Sequence, residues 1–179
     1  CIYLYDGIIK SDQKIDNLIF GEYETDYYYV SDVDDSNDVY LRNDIPVFKL
    51  KSNQKEYLNL ESAINASANE DEITLIKDVY IPRLSNSVSI PETKTITLDL
   101  DGFELRTNKT GLILNNGVLN IKDSKFNMDD NYNVADSSGL FNGVNYYDAA
   151  YIIQNQTGTI NIENINLSAG FSDASYKDI

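Results

Sequence analysis

The chain has 179 residues, a formal net charge of −15, one cysteine and no histidine. Its acidity disfavours nucleic acid and anionic membranes as partners, because both are bound by basic faces. The missing histidines exclude Ser-His-Asp and Cys-His catalysis and histidine metal sites within these residues. No apolar run reaches the roughly 18 residues of a membrane-spanning helix.

Residues 1–55 predict a small β-rich segment or the end of a preceding module. Short runs rich in aromatic and β-branched residues are typical of strands, and they lie at 1–5, 17–20, 27–30 and 46–50. The alternative is that this part forms irregular first turns of the repeat domain that follows, and the sequence leaves both open. We therefore divide the chain into residues 1–55 and a repeat domain at 56–179.

The two ends of the chain predict a fragment of a larger protein. Cys1 has no methionine before it, so it is either the start of a cut piece or the lipidated first residue of a bacterial lipoprotein. Ile2 favours the cut piece, because a small or polar residue is expected after a lipidated cysteine. The last residues show no closing cap of the kind that repeat proteins need, so further repeats of the same parent chain are expected.

An acidic stretch at residues 31–38 has the alternation of a calcium-binding loop. Hard oxygen ligands stand at every second position, at Asp32, Asp34, Ser36 and Asp38. The EF-hand pattern is matched only in part, because Asn37 stands where that loop needs glycine. The alternative is an acidic, solvated turn between two strands. Calcium is thus the one cofactor that the sequence suggests, and otherwise we expect none.

Residues 60–68 predict a short helix. Apolar residues recur there at helical spacing, at Leu60, Ala63, Ile64 and Ala68. Asn59 precedes them as a candidate N-cap. Such a helix would cover the exposed edge and the apolar end of a sheet that begins after it.

A repeat with a 23-residue step occupies the rest of the chain. Three copies align without a gap at residues 73–78, 96–101 and 119–124, and a fourth follows after a longer interval at 160–167. The first column is apolar, with Ile73, Ile96, Leu119 and Ile160, and the next is polar, with Thr74, Thr97, Asn120 and Asn161. Seven residues after each start come Tyr80, Phe103, Phe126 and Leu167. The period-2 alternation predicts a strand in each copy, and the fixed step predicts stacked rungs.

The repeat predicts an all-β fold, a right-handed parallel β-helix. This is a solenoid with about 23 residues per rung, a short N-terminal capping helix and a small β-rich segment before it. Ile73 would then lie beside Ile96, and Ile96 beside Leu119, at the roughly 4.8 Å spacing of paired strands. The polar column would face outwards. An antiparallel sandwich is the alternative, but it would need these columns to agree by chance.

Residues 57–66, followed by 71–78, 96–105 and 116–123, resemble the opening of the pectin-lyase-like domains of large secreted and surface-attached bacterial proteins. The resemblance covers about residues 57–168 and implies a right-handed parallel β-helix capped by a short helix. The same family includes polysaccharide lyases and hydrolases, so the resemblance also implies these activities as alternatives. The family's hydrolases carry a Gly-His-Gly-like segment, which this chain lacks. Its lyases use a basic residue and calcium, and Arg42, Arg83 and Arg106 stand in no recognisable lyase context.

The surplus residues between the third and fourth copies fall within residues 129–150. Aromatic side chains stand there among polar ones, at Tyr132, Phe141, Tyr146 and Tyr147. Insertions in repeat proteins often form loops on the binding face, and exposed tyrosines stack on sugar rings. These four residues are therefore the candidate ligand-binding set. The alternative is a loop that packs its rings back onto the repeat domain.

Two carboxylate pairs are candidates for glycoside hydrolysis, which needs two carboxyl groups about 5 to 9.5 Å apart. Asp99 and Asp101 lie two residues apart on one predicted strand face, and Asp129 adjoins Asp130. The alternative, which we favour, is that these are surface charges that keep an edge-rich fold soluble. The sequence thus assigns no catalytic residue.

Together these patterns predict a non-catalytic structural and adhesive module of a bacterial cell-surface or secreted protein, located outside the cell. It would present loops to a polysaccharide or a host surface protein. Two alternatives come from other classes: a polysaccharide lyase or glycoside hydrolase, and an inert spacer. Fold-level analogy alone does not decide among them.

Overall fold

The computed structural model describes residues 7–9, 30–33, 39–42, 44–81, 85–107, 109–130, 133–135, 138–145 and 152–171. Its strands are β1 (Gly7–Ile9), β2 (Val30–Val33), β3 (Val39–Arg42), β4 (Phe48–Leu50), β5 (Glu56–Tyr57), β6 (Asp71–Leu75), β7 (Val79–Ile81) and β8 (Val88–Ile90). They continue as β9 (Thr95–Asp99), β10 (Glu104–Thr107), β11 (Ile113–Asn115), β12 (Val118–Lys122), β13 (Leu140–Asn145), β14 (Ile153–Asn155), β15 (Thr159–Glu163) and β16 (Asn166–Phe171). The helix α1 (Leu60–Ala66) lies between β5 and β6.

From β6 onwards the chain enters three separate sheets in turn. The first is a six-stranded mixed sheet in the order β15-β12-β9-β6-β4-β5. The second is a four-stranded parallel sheet, β16-β13-β10-β7, and the third is a three-stranded parallel sheet, β14-β11-β8. A further antiparallel sheet, β1-β3-β2, comes from the first part of the chain.

This arrangement contradicts the predicted fold class, a single right-handed parallel β-helix with rungs of constant length. The strands lie in separate sheets that do not close into one solenoid, and β4 and β5 join the largest sheet in antiparallel pairing. The step between parallel neighbours equals the predicted one only for β9 and β12, where Ile96 pairs with Leu119. It is longer elsewhere, as in the pairs of Asp71 with Ile96 and of Leu119 with Ile160. The repeat columns indicate which strands are neighbours. They do not indicate how many residues lie between those strands.

The register of the six-stranded sheet also differs from the predicted columns at one place. Leu119 pairs with Ile96 and with Ile160, as predicted. Ile73, however, pairs with Leu98, two residues further along than predicted. A shift of two keeps the same side chains on the same face, so the alternation of buried and exposed residues survives while the neighbours change.

The last predicted column, seven residues after each start, is wrong. Leu167 pairs with Phe141, which pairs with Leu105. Phe126 follows β12 in a turn, where its N–H donates to the Asp123 carbonyl. Phe103 precedes β10 and packs partly buried against the core. The column already fails between the first two copies, because Tyr80 pairs with Arg106 and Phe103 precedes β10.

Inward-facing side chains of the three sheets form one core. In β12, Leu119 and Ile121 are buried while Val118, Asn120 and Lys122 are half-exposed, which is the burial pattern of a strand with one face on a core. Leu105 of the second sheet and Ile113 of the third belong to the same cluster. Burial of this shared apolar surface is the main term that stabilises the fold.

The helix α1 confirms the helix predicted at 60–68. Asn59 is its N-cap, and its side-chain Oδ1 accepts the Ser62 N–H at 2.8 Å. The apolar face of α1 is buried against β4, β5 and β8, with Leu60 and Ile64 at most 3% exposed. At the other end of the helix, Lys94 Nζ donates to the Ile64 carbonyl at 2.6 Å. The helix therefore covers β8, the first strand of the third sheet.

The corners between the third and first sheets need glycine and asparagine. A Cβ on Gly117 would collide with the backbone carbonyls of Pro91 and Lys94. The buried side chain of Asn115 donates to Asn155 Oδ1 at 2.8 Å, so the two corners are tied together. Asn115 and Asn155 are the last residues of β11 and β14, and Gly117 lies between β11 and β12.

The first part of the chain contributes to two sheets. The strand β4 precedes residue 55 and pairs with β6 of the six-stranded sheet. The strand β2, in the antiparallel sheet, contacts β7 at the edge of the second sheet. The predicted strands at 1–5 and 17–20 lie outside the described residues.

Candidate binding face

The outer face of the six-stranded sheet carries a shallow groove of about 410 Å³. Outward-facing residues of β6, β9, β12 and β15 line it, because alternate residues of each strand point away from the core. These residues are Glu72, Thr97, Asn120, Lys122, Asn161 and Glu163. We call this surface the polar face.

A ladder of hydrogen bonds crosses the strands of the polar face. Asn161 Nδ2 donates to Asn120 Oδ1 at 2.8 Å, and Asn120 Nδ2 donates to Thr97 Oγ1 at 3.4 Å. The three residues pair directly in register, so their side chains are one strand spacing apart. Each amide and hydroxyl keeps further donor or acceptor capacity, since a primary amide has two N–H groups and two acceptor sites.

Lys122 is the centre of an ion network on the polar face. Its Nζ lies 3.0 Å from Glu72 Oε2 and 3.5 Å from Asp99 Oδ2. The hydrogen bond to Glu72 raises the pKa of Lys122, and the negative charges of Glu72 and Asp99 add to the effect against partial burial. Glu72 also accepts from Lys51 Nζ at 3.1 Å. Lys122 therefore stays protonated at neutral pH.

A second groove of about 300 Å³ continues the polar face towards β4. Its lining includes Lys49, Lys51, Thr74 and Asp101. Glu72 lines both grooves, so the two form one track that crosses the strands of the sheet. Positive and negative side chains alternate along this track.

The carboxylates of the predicted pair, Asp99 and Asp101, both accept hydrogen bonds at the corner that follows β9. Asp99 is 3% exposed, and its Oδ1 accepts the N–H groups of Asp101 and Ser124. Asp101 follows β9 in a turn with a positive φ of 46°. The prediction that Asp99 and Asp101 share one strand face is therefore wrong. Asp101 Oδ1 accepts from Ser124 Oγ at 3.0 Å. Both carboxylates hold the chain at the corner.

The other predicted pair has a local role as well. Asp129 Oδ1 accepts the Asn133 N–H at 2.8 Å, and Oδ2 accepts from Asn133 Nδ2 at 2.9 Å. These bonds lie beside the bridge between Met128 and Val134. Asp130 is exposed.

A polar cluster of another kind lies on the outer face of the second sheet. Glu104 accepts two hydrogen bonds from Arg106, at 2.9 and 3.0 Å, and one from Asn142 Nδ2 at 3.0 Å. Asp78 Oδ1 accepts the Glu104 N–H at 2.7 Å. Although Asp78 is exposed, desolvation by nearby atoms and the charge of Glu104 raise its pKa, with the Glu104 N–H and Arg106 acting in the opposite direction.

Of the four candidate ligand-binding residues, Phe141 alone lies in the described part of the chain. Phe141 lies in β13 and is 1% exposed, so its ring belongs to the core and offers no face to a ligand. This corrects its assignment as a binding residue. Tyr132, Tyr146 and Tyr147 lie outside the described residues. Part of the apparent insertion is thus a strand of the second sheet, since Phe141 pairs with Leu105.

The predicted calcium loop is mostly outside the described ranges. Asp32 lies in β2, whereas Asp34, Ser36 and Asp38 are not described. Among the residues that the structure describes, no group of three or more acidic, cysteine or histidine side chains is arranged to hold a metal. In the same ranges, no helix is long and apolar enough to cross a membrane.

The sequence predicts that three residues of the polar face point outwards. The outward column of Thr97, Asn120 and Asn161 is present as predicted. Glu72 was missed, because the predicted register placed Thr74 beside Thr97. Lys122 was missed as a site residue because its partners come from two other strands that are distant in the sequence.

No protein-family model matches the chain, and no curated protein or solved structure matches it. The resemblance to pectin-lyase-like domains is therefore supported only by the sequence segments in which it was noted.

Proposed function

We propose that the chain is a non-catalytic structural and adhesive module whose polar face binds a glycan. The observation that carries the proposal is the ladder of Thr97, Asn120 and Asn161 along an open groove. Hydroxyl-rich ligands are bound by such amide and hydroxyl groups, which both donate and accept. A linear polysaccharide that crosses the strands would meet the same groups at each strand.

The charges of the polar face favour a neutral glycan. Glu72, Lys122 and Glu163 line the first groove, and the whole chain carries −15. A polyuronate would be repelled by this field, and more strongly at low salt. The expected ligand is therefore rich in hydroxyl groups and poor in carboxylates.

The engagement of the carboxylates supports a non-catalytic role. Glu72 is paired with two lysines, and Asp99 with two backbone N–H groups and Lys122. A general acid in glycoside hydrolysis needs a carboxyl group that can reach the leaving-group oxygen of a substrate. The oxygens of Glu72 and Asp99 instead accept from groups of the same chain.

A location at a bacterial surface or outside the cell, with further repeats of the parent chain as neighbours, is part of the same proposal. It rests on the resemblance of residues 57–168 to domains of secreted and surface-attached proteins. A host surface protein is the other partner that this setting offers. The spacer alternative predicts no ligand for the polar face.

Affinity electrophoresis and calorimetry with a neutral β-glucan and a pectic polyuronate test the proposal. We expect retention by the neutral glucan without a fall in its chain length. The double variant Asn120→Ala with Asn161→Ala should weaken binding about tenfold or more, since each lost hydrogen bond contributes roughly 1 kcal/mol. Asn142→Ala is the matched control, because it removes an outward amide from the second sheet.

Cleavage of either polymer would contradict the proposal and favour the enzyme alternative. The cluster of Asp78, Glu104 and Arg106 is the place to examine in that case, because it combines a raised carboxyl pKa with a neighbouring carboxylate and a guanidinium. Loss of cleavage in Asp78→Asn would then assign the activity to this cluster. Equal retention of the wild type and the double variant would remove the polar face as the binding site.

A further inference from the structure

One row of outward side chains crosses the polar face with a single residue on each strand. Glu72 of β6 pairs in register with Thr97 of β9. Asn120 of β12 pairs in register with Thr97 on one side and with Asn161 of β15 on the other. All four side chains line the same groove. Neighbouring members of the row are therefore about 4.8 Å apart, which is the spacing of paired strands.

Each member of the row keeps hydrogen-bonding capacity for a ligand. Thr97 Oγ1 accepts from Asn120 Nδ2, and its O–H remains as a donor. Asn161 Nδ2 donates to Asn120 Oδ1, which leaves Asn161 Oδ1 as an acceptor. Each Glu72 oxygen accepts one lysine N–H, although a carboxylate has about four acceptor sites. A ligand that carries hydroxyl groups can thus hydrogen-bond at every strand of the row.

A ligand meets every member of the row only if its own repeat is close to the strand spacing. An extended peptide advances by about 3.3 Å per residue and falls out of phase with the row within two strands. Pyranose rings joined by 1,4-links with both bonds equatorial form a flat ribbon, which advances by close to one strand spacing per sugar. Successive rings are turned over, but both edges of each ring carry oxygen groups. Axial bonds and 1,3-links instead turn the chain into a helix, and its hydroxyl groups then point away from a flat sheet.

We propose that the polar face binds extended, neutral β-1,4-linked glycans of the glucose or mannose configuration, with one sugar over each of β6, β9, β12 and β15. This inference rests on the proposed function, because it names the linkage of the glycan that the same face binds. Successive rings hydrogen-bond to successive members of the row. Specificity then comes from the match between two repeats, so that a shallow groove is sufficient.

Calorimetric titration of the full chain with β-1,4-linked gluco-oligosaccharides, from disaccharide to tetrasaccharide, tests the match. Each added sugar should raise the affinity about fivefold, which corresponds to one net hydrogen bond. Tetrasaccharides of the same sugar with β-1,3 or α-1,4 links should bind about tenfold more weakly or worse, because they reach fewer members of the row.

The variant Thr97→Val removes one member of the row, because it deletes the hydroxyl group and keeps the branched shape of the side chain. We expect it to lower the affinity for the β-1,4-linked tetrasaccharide about fivefold. Thr95→Val is the matched control, since it makes the same change on the same strand, outside the residues that line the groove. It should bind like the wild type. Both side chains are partly exposed, so both variants should keep the wild-type melting temperature.

Three outcomes overturn this inference and leave the proposed glycan function standing. The first is equal or tighter binding of the β-1,3-linked or α-1,4-linked tetrasaccharide. The second is an affinity that does not rise with the length of the β-1,4-linked chain. The third is a loss of affinity in Thr95→Val as large as that in Thr97→Val. Failure of every neutral oligosaccharide and polymer to bind contradicts the proposed function itself, and the inference falls with it.

Discussion

The two ends of the six-stranded sheet are built from similar strands and have different surroundings. At the β4 end, an antiparallel hairpin and α1 cover the apolar residues, and Leu50 is 0% exposed. At the β15 end, Leu167 of the adjoining sheet is 52% exposed. Strand alternation alone therefore does not decide burial. The hairpin β4-β5 and α1, which lie outside the repeat, account for the burial at the β4 end.

Truncating one leucine at each end should give the largest difference. Leu50→Ala leaves a cavity in the core, and we expect a loss of about 3 kcal/mol and a fall in melting temperature of roughly 9 °C. Leu167→Ala at micromolar concentration should change the free energy of unfolding by less than about 0.5 kcal/mol. Thermal denaturation followed by circular dichroism measures both. Similar losses in the two variants would mean that the ends are equally covered.

A smaller effect is expected from the buried carboxylate that fastens the hairpin to β6. Asp71 accepts from Ser52 Oγ at 2.6 Å and from the N–H groups of Ser52 and Glu72. Asp71→Ala should lower stability by about 2 kcal/mol, because it leaves three donors without this acceptor. Glu163→Ala, at an exposed position of β15, should have almost no effect on the free energy of unfolding. Urea denaturation measures both, and equal losses would remove the distinction between the ends.

The contribution of Asp71 should also depend on pH in one direction. Burial opposes its ionisation, but the hydrogen bonds from Ser52 and Glu72 hold its pKa below the ordinary value of 3.8. Its stabilisation is therefore complete above that value and is lost as the pH falls through the lower folded-state pKa. The stability difference between wild type and Asp71→Ala, measured by urea titration from pH 7 to pH 2, should shrink only in the acid range. A difference that stayed constant to pH 2 would speak against this carboxylate as the anchor.

The smallest effect concerns the helix at the covered end. Asn59→Ala removes the acceptor for the Ser62 N–H and should lower stability by about 1 kcal/mol. Asn65→Ala, an exposed position within α1, is the control and should be neutral or slightly stabilising, because alanine has the higher helix propensity. Urea denaturation resolves the two. An unchanged midpoint for Asn59→Ala would indicate that α1 is held by packing alone.

Local features of the fold could be predicted from the sequence, and its assembly could not. The helix with its Asn59 cap and the strands with period-2 alternation follow from short-range patterns. The pairing of β4 with β6 depends on contacts that no local pattern encodes. The register shift between Ile73 and Leu98 leaves the alternation unchanged, so the sequence carried no sign of it.

The candidate site divides in the same manner. Its outward amides belong to a visible column, but the ion network of Lys122 joins residues from three strands. Phe141 was assigned to a loop because aromatic residues among polar ones suggest exposure. It lies in the core because β13 continues the second sheet inside the apparent insertion.

The long interval between β12 and β15 bears on how many residues can be inserted or deleted between the strands. Leu119 pairs with both Ile96 and Ile160, although Ile160 is nearly twice as far away along the chain. For a flexible chain, the longer separation would cost only about 0.5 kcal/mol more in closure entropy, which grows with the logarithm of length. The segment between β12 and β13 can therefore gain or lose residues, or accept a foreign domain, with little effect on folding free energy. New surface can be added there without rebuilding the sheets.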